Sequence, residues 1–165
     1  MIKNFQRILG IDPGLAKTGF GIIDADSKKY IHVCHGIVET DPSGTISERL
    51  MEIFDYLSDI ITKYRPDEAS IESIYFSRNA VSAIPVAQAK GAIHLLLAKS
   101  SIKDFEYSPL QIKQSIVGSG RAEKKQVQEL VRFLLSLETV PEPDHSADAL
   151  AAAICHSNHR SFINV

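Results

Sequence analysis

The chain has 165 residues, 44% of them hydrophobic and 23% charged, with a formal net charge of -2 and only two cysteines. That is the size and make-up of one ordinary globular domain, spanning 1–165, able to bury a core without staples. No apolar run is long enough to cross a bilayer, and a net negative chain does not coat itself with nucleic acid by bulk charge. The opening "MIKNFQRILG" lacks an apolar stretch followed by a small-residue cleavage site, so the expected compartment is reducing and cytoplasmic, with Cys34 and Cys155 as free thiols. The cluster "CHSNH" at 155–159 has no second half that would complete a zinc site.

In chain order, three strand-like runs come first, at 7–12, 18–24 and 30–39, joined by the turn signals "DPGLAK" and "DADSKK". Such short connections predict an antiparallel meander. From 46 to 64, Ile46, Leu50, Ile53, Phe54, Leu57, Ile60, Ile61 and Tyr64 follow helical spacing, with Ser or Thr in place to cap. Residues 67–74, "DEASIESI", read as a short buried strand carrying Glu72, and about 80–99 as a long helix that Pro85 is expected to kink. A strand near "DFEYS", a short helix from Pro109 to Val117, a basic loop, a helix over 123–137 and a last helix through "HSADALAAAICHS" complete the pattern. The fold class is α/β, a mixed β-sheet with an antiparallel meander plus parallel strands, flanked by helices.

Three places stand out against this frame. Asp12 closes the first strand at a Pro13–Gly14 turn, Glu72 lies in the fourth, and Asp144, His145 and Asp148 open the last helix. If the first and fourth strands are neighbours, Asp12 and Glu72 meet, and a helix packed on the sheet brings its first turn to them. Carboxylates so gathered repel one another unless a cation is present, and oxygen-rich ligation favours magnesium or manganese. His145 and Asp148 share a helix face at a spacing of three, while Asp144, after Pro143, reads as the N-cap. The segment "QIKQSIVGSGRAEKKQ" carries Lys113, Arg121, Lys124 and Lys125 against Glu123 alone, the one distinctly basic stretch of its length.

Taken together, "LGIDPGLAKTGFGII", "SIESIYFSRNA", "QAKGA", "QIKQSIVGSGRAEKKQV" and "HSADALAAAICH" resemble, in order and over nearly the whole chain, the RuvC family of Holliday-junction resolvases within the RNase H-like superfamily. The resemblance implies an RNase H-like nuclease domain that cuts four-way DNA junctions symmetrically as a homodimer, leaving 5'-phosphate and 3'-hydroxyl ends. It implies that Asp12, Glu72, His145 and Asp148 are catalytic metal ligands for two Mg2+ ions, with Mn2+ able to substitute. Asp12 would bridge, Glu72 and Asp148 would hold one ion each, and His145 would ligate or steer the attacking water. Lys113 and Lys124 would face the scissile backbone. DNA contacts are further expected from Arg121 and Lys125, from Tyr75 by stacking on an unpaired base, from its neighbour Phe76, and from Arg78 and Lys90. The small residues Ala80, Ala83, Ala87, Ala89, Gly91 and Ala92 on the long helix match the family's dimer contact. RuvA and RuvB are the implied partners.

Two other readings compete. An actin-like or sugar-kinase-type nucleotide domain shares the opening motif but normally needs two such domains, and "GSGRAEKK" is not a Walker loop. A non-catalytic junction-binding module of the same fold would have no need for four competent ligands.

Overall fold

The computed structural model describes residues 5–26, 29–73 and 80–163. Strands β1 (Gln6–Asp12), β2 (Lys17–Ala25) and β3 (Tyr30–Glu39) form the expected meander. Helix α1 (Ile46–Tyr64) leads to β4 (Glu68–Glu72), which lies parallel to β1, and α2 (Ala80–Lys99) leads to β5 (Lys103–Tyr107), parallel to β4. The sheet order is β3-β2-β1-β4-β5. Helices α3 (Pro109–Val117), α4 (Lys124–Leu134) and α5 (Asp144–Ile163) complete the chain.

Local chemistry sets these boundaries. Thr45 and Glu48 form a reciprocal capping box at the start of α1, and Ser108 with Gln111 does the same for α3, where Pro109 takes the first position that needs no N–H donor. The helix read over 123–137 is shorter, because Glu123 caps it from outside and α4 ends at Leu134. Strand β4 is likewise trimmed to Glu68–Glu72, and Pro85 lies within α2.

Alternation along the strands sorts side chains into two cores. Leu9, Ile11, Ala69 and Ile71 face α1 and α2, packing with Ile53, Leu57, Ile93 and Leu97. Ile8 faces α5, whose inner surface is Leu150 and the run Ala151–Cys155, with α3 and α4 beyond. The same alternation puts Gly10 and Asp12 of β1, and Glu68, Ser70 and Glu72 of β4, on the α5 side.

Helix α5 runs back along both strands in matched steps. Four helical residues rise about 6 Å and two strand residues about 6.6 Å, so each helical turn meets every second strand residue. Over β4, His156 bonds Glu68 (2.8 Å), the Ala152 carbonyl accepts from Ser70 (2.7 Å), and Asp148 comes to Glu72. Over β1, Ala149 and Ala153 cover Gly10, and His145 reaches Asp12. This closeness requires glycine. A Cβ on Gly10 would stand 1.9 Å from the Ala149 carbonyl oxygen, and one on Gly19 of β2 would stand 1.9 Å from that of His145.

Candidate active site

Asp12 and Glu72 end neighbouring parallel strands on the face that α5 covers, so the first turn of α5 must descend onto them. His145 Nδ1 lies 2.7 Å from Asp12 Oδ2, with the imidazole as donor to the carboxylate. The aspartate side chain is only 14% exposed, against 43% for the histidine. Glu72 shares a hydrogen bond with Asp12 and feels the charges of both Asp12 and Asp148. Burial first, then the Asp12 charge and hydrogen bond, push its carboxyl up to about 9, so it is protonated at neutral pH. Burial also raises Asp148, against the opposing pull of Lys124. The hydrogen bond to Asp12 raises His145 despite partial burial.

Lys124, in the first turn of α4, closes one side. Its Nζ lies 3.0 Å from Asp144 Oδ2 and 3.2 Å from Asp148 Oδ2. Burial works against its charge, but these bonds outweigh it and hold its pKa above the ordinary lysine value. Lys113 of α3 joins Lys124, Glu72 and Asp148 in lining a cavity of about 220 Å³, with Ile112 and Val127 as its apolar wall. Two lysines and two carboxyl groups therefore line one cavity, with Lys124 and Asp148 paired within it.

All four acidic and imidazole residues picked out in the sequence are brought to one place, together with Lys113 and Lys124. Arg121 and Lys125 stand exposed beside them, in the loop before α4 and in its first turn. One expectation is corrected. Asp144 is not a cap: it is the first residue of α5, and its carboxylate binds Lys124 and accepts from Gln128 Nε2 (3.0 Å). Lys90 forms an ion pair with Glu106 and its side chain is 14% exposed. Tyr75, Phe76 and Arg78 lie outside the described residues. Cys34 and Cys155 are free thiols, as read.

Among the described residues, no three carboxylate, imidazole or thiol groups are arranged around a common point for a metal ion. The reason is visible in the bonds just given: His145 is turned onto Asp12, Glu72 is bonded to Asp12 through a proton, and Lys124 occupies Asp148. The donor types nevertheless fit a hard divalent cation, which would offset both the burial and the neighbouring Asp12 and Asp148 charges that push Glu72 up.

Sheet order, with an acid pair on adjacent strand ends under the first turn of α5, is that of an RNase H-like α/β fold. The family model described as crossover junction endodeoxyribonuclease RuvC matches residues 8–156. Among relatives of that description, the Treponema denticola protein is 48% identical over 94% of this chain and 88% of its own length, and the Brevibacillus brevis protein 43% identical over 97% and 96%. The solved structure of Thermus thermophilus RuvC in complex with Holliday junction substrate superposes with a TM-score of 0.91 at 30% identity, over 95% of this chain and 96% of that one. A Fowlpox virus resolvase bound to Holliday junction DNA shares the fold at a TM-score of 0.61 and 16% identity, over 92% and 99% of the two chains. This chain belongs to the RuvC family of crossover junction endodeoxyribonucleases.

Proposed function

We propose that the chain resolves four-way DNA junctions by hydrolysing one phosphodiester in each of two symmetry-related strands, leaving 5'-phosphate and 3'-hydroxyl ends. The observation that carries this reading is the gathering of Asp12, Glu72 and Asp148 with His145, where burial first and the Asp12 and Asp148 charges next push Glu72 up to about 9. Acids held so close without a covering hydrophobic role destabilise the fold, and family membership supplies the reaction that makes them useful.

Asp12, Glu72, Asp148 and His145 would hold Mg2+, with Mn2+ as a substitute, and the donor count suits two ions. When bound, such ions lower the pKa of the attacking water and stabilise charge on the leaving 3'-oxygen. The remaining work falls to the protein. Asp12 fixes the imidazole of His145, which can orient water or hold a proton beside the phosphate. Lys113 and Lys124 supply positive charge to a phosphate entering their cleft, where partial burial strengthens the interaction. Arg121 and Lys125 extend that charge along the DNA backbone.

A two-fold substrate calls for a two-fold enzyme. On α2, Val81, Ile84 and Leu95 are 75%, 56% and 58% exposed, and Gly91 between them opens on free space. This apolar stripe supports a homodimer through α2. Cooperation with the branch-migration proteins RuvA and RuvB, in the cytoplasm, follows from the family reading. No helix among the described residues is long and apolar enough to cross a membrane.

The test is cleavage of a labelled, immobile four-way junction, compared with linear duplex, in magnesium, in manganese and in chelator. Paired nicks that need both metal and junction are expected. Binding without cutting in either metal would instead make the chain a junction-binding module.

A further inference from the structure

The acids lie between two clefts. On one side is the cavity of Lys113 and Lys124. On the other, a second cavity of about 450 Å³ is lined by Gly14, Leu15 and Ala16 of the β1–β2 turn, by Lys17 and Arg49, and by His145. His145 thus faces both Asp12 and this second cleft.

Arg49 differs from the other half-buried arginines. Arg7 gives its guanidinium to Asp24, Arg132 to Glu129 and Arg160 to Glu68. Arg49 instead spends Nε on a neutral hydroxyl, that of Thr40 (2.8 Å), and forms no ion pair among the described residues. Thr40 in turn donates to the Leu15 carbonyl (2.7 Å). Asp41 feels the charge of Arg49, but the hydrogen bonds that hold it come from Ser43. The guanidinium is therefore fixed at one nitrogen by the turn that follows Asp12, and its two terminal nitrogens remain for a ligand. Lys17, the other cation of the cleft, is taken up by Glu39 at 2.7 Å.

A partly buried, always-charged fork with no carboxylate partner suits a phosphate group. We infer that Arg49 binds a backbone phosphate of the scissile DNA strand, on the side of the cleaved bond away from Lys113 and Lys124, so that the strand crosses Asp12 from one cleft to the other. This rests on the resolvase reading above. It names Arg49 as a positioning residue, because the phosphate it holds is a neighbour of the one that reacts.

The experiment pairs Arg49→Ala, Arg49→Lys and Thr40→Val with junctions in which single phosphates flanking the cleaved bond are replaced, one at a time, by neutral methylphosphonates. Junction affinity is measured in chelator over a salt series, and single-turnover cleavage in manganese. For wild type, one methylphosphonate position should cost about tenfold in affinity, and the same position should cost Arg49→Ala less than about twofold. The salt slope of Arg49→Ala should fall by about one, while Arg49→Lys and Thr40→Val keep the wild-type slope. Losses that add at every position scanned, or a Thr40→Val that matches Arg49→Ala, would mean that Arg49 only braces the turn and would overturn the inference. In that event wild type still cuts the junction. Wild type that neither binds nor cuts it would overturn the functional reading and this assignment together.

Discussion

Asp12 and Glu72 present the central electrostatic fact at the scale of single residues, two carboxyl groups on adjacent strand ends that cannot both ionise at low cost. Replacing Asp12 with asparagine keeps the shape and removes one charge. Cleavage should fall about a thousandfold or more, while junction affinity in chelator holds or tightens, since a negative charge beside phosphate is gone. Gel-shift and single-turnover assays on one preparation check both, and loss of binding in step with cutting would contradict the role given to Asp12. Glu72 makes a stability prediction. Its folded pKa is raised to about 9, so between its ordinary value and that pH the folded chain keeps a proton that the unfolded chain releases. Stability from this group is full at low pH and declines as pH rises through that window. Glu72→Gln should therefore flatten the decline and, in chelator at pH 8, stabilise the protein by on the order of 1–3 kcal/mol while abolishing cleavage. Urea melts from pH 5 to 9 decide it, and parallel curves for the two proteins would count against it.

Helix α5 is the element on which the site depends, and its far end holds it down. His156 is 1% exposed, stacked on Phe105 with ring centroids 4.3 Å apart, and bonded to Glu68 and to the Tyr107 hydroxyl, each at 2.8 Å. Burial lowers its pKa although Glu68 pulls the other way. Above the ordinary histidine range its contribution is therefore full, and as pH falls below about 6.5 the unfolded state takes up a proton first and stability is lost. Burial lowers His32 and His35 of β3 too, with the same sign, whereas His145 and Glu72 act oppositely. The contribution of His156 is isolated by substitution. His156→Gln should cost about 1–2 kcal/mol at pH 7.5 but lose less than wild type on going to pH 5. An unchanged difference between the two pH values would show that His156 does not titrate in this range. Most of the scaffold of α5 was legible beforehand. The meander, a Ser or Thr cap ahead of α1 and the meeting of Asp12 with Glu72 all follow from short turns, spacing and strand adjacency. The rest depended on distant partners. Lys90 and Asp144 each look available in their own segment, yet Glu106 and Gln128, which engage them, lie 16 residues away. The column of Glu68, Ser70 and Glu72 under His156, Ala152 and Asp148 combines a step of two with a step of four, and neither step shows its meaning until helix and strand are paired.

At the scale of the whole molecule, a net charge of -2 means that DNA binding must come from local basic surfaces rather than from the global field. The proposed pair of symmetric cuts would require two such surfaces in one complex. Ile84, Ala87, Gly91 and Leu95 lie on one face of α2 at helical spacing, all of them exposed, while Ala89 and Ile93 of the same helix are buried against the sheet. A helix that satisfies its own core and still shows a second apolar stripe is under-covered as a monomer. Glutamates at two of these positions, Ile84→Glu with Leu95→Glu, bring like charges together across any two-fold contact that uses the stripe, and neither replaces a residue that lines a cleft. Sedimentation should then show a dimer for wild type and a monomer for the double variant at micromolar concentration. On a supercoiled plasmid with an extruded cruciform, wild type should give mainly linear product, because both strands are cut within one binding event. The variant should accumulate nicked circles, each monomer cutting alone. A double variant that stays dimeric would move the interface off α2, and a monomer that still yields linear product at the wild-type rate would separate dimerisation from symmetric cutting.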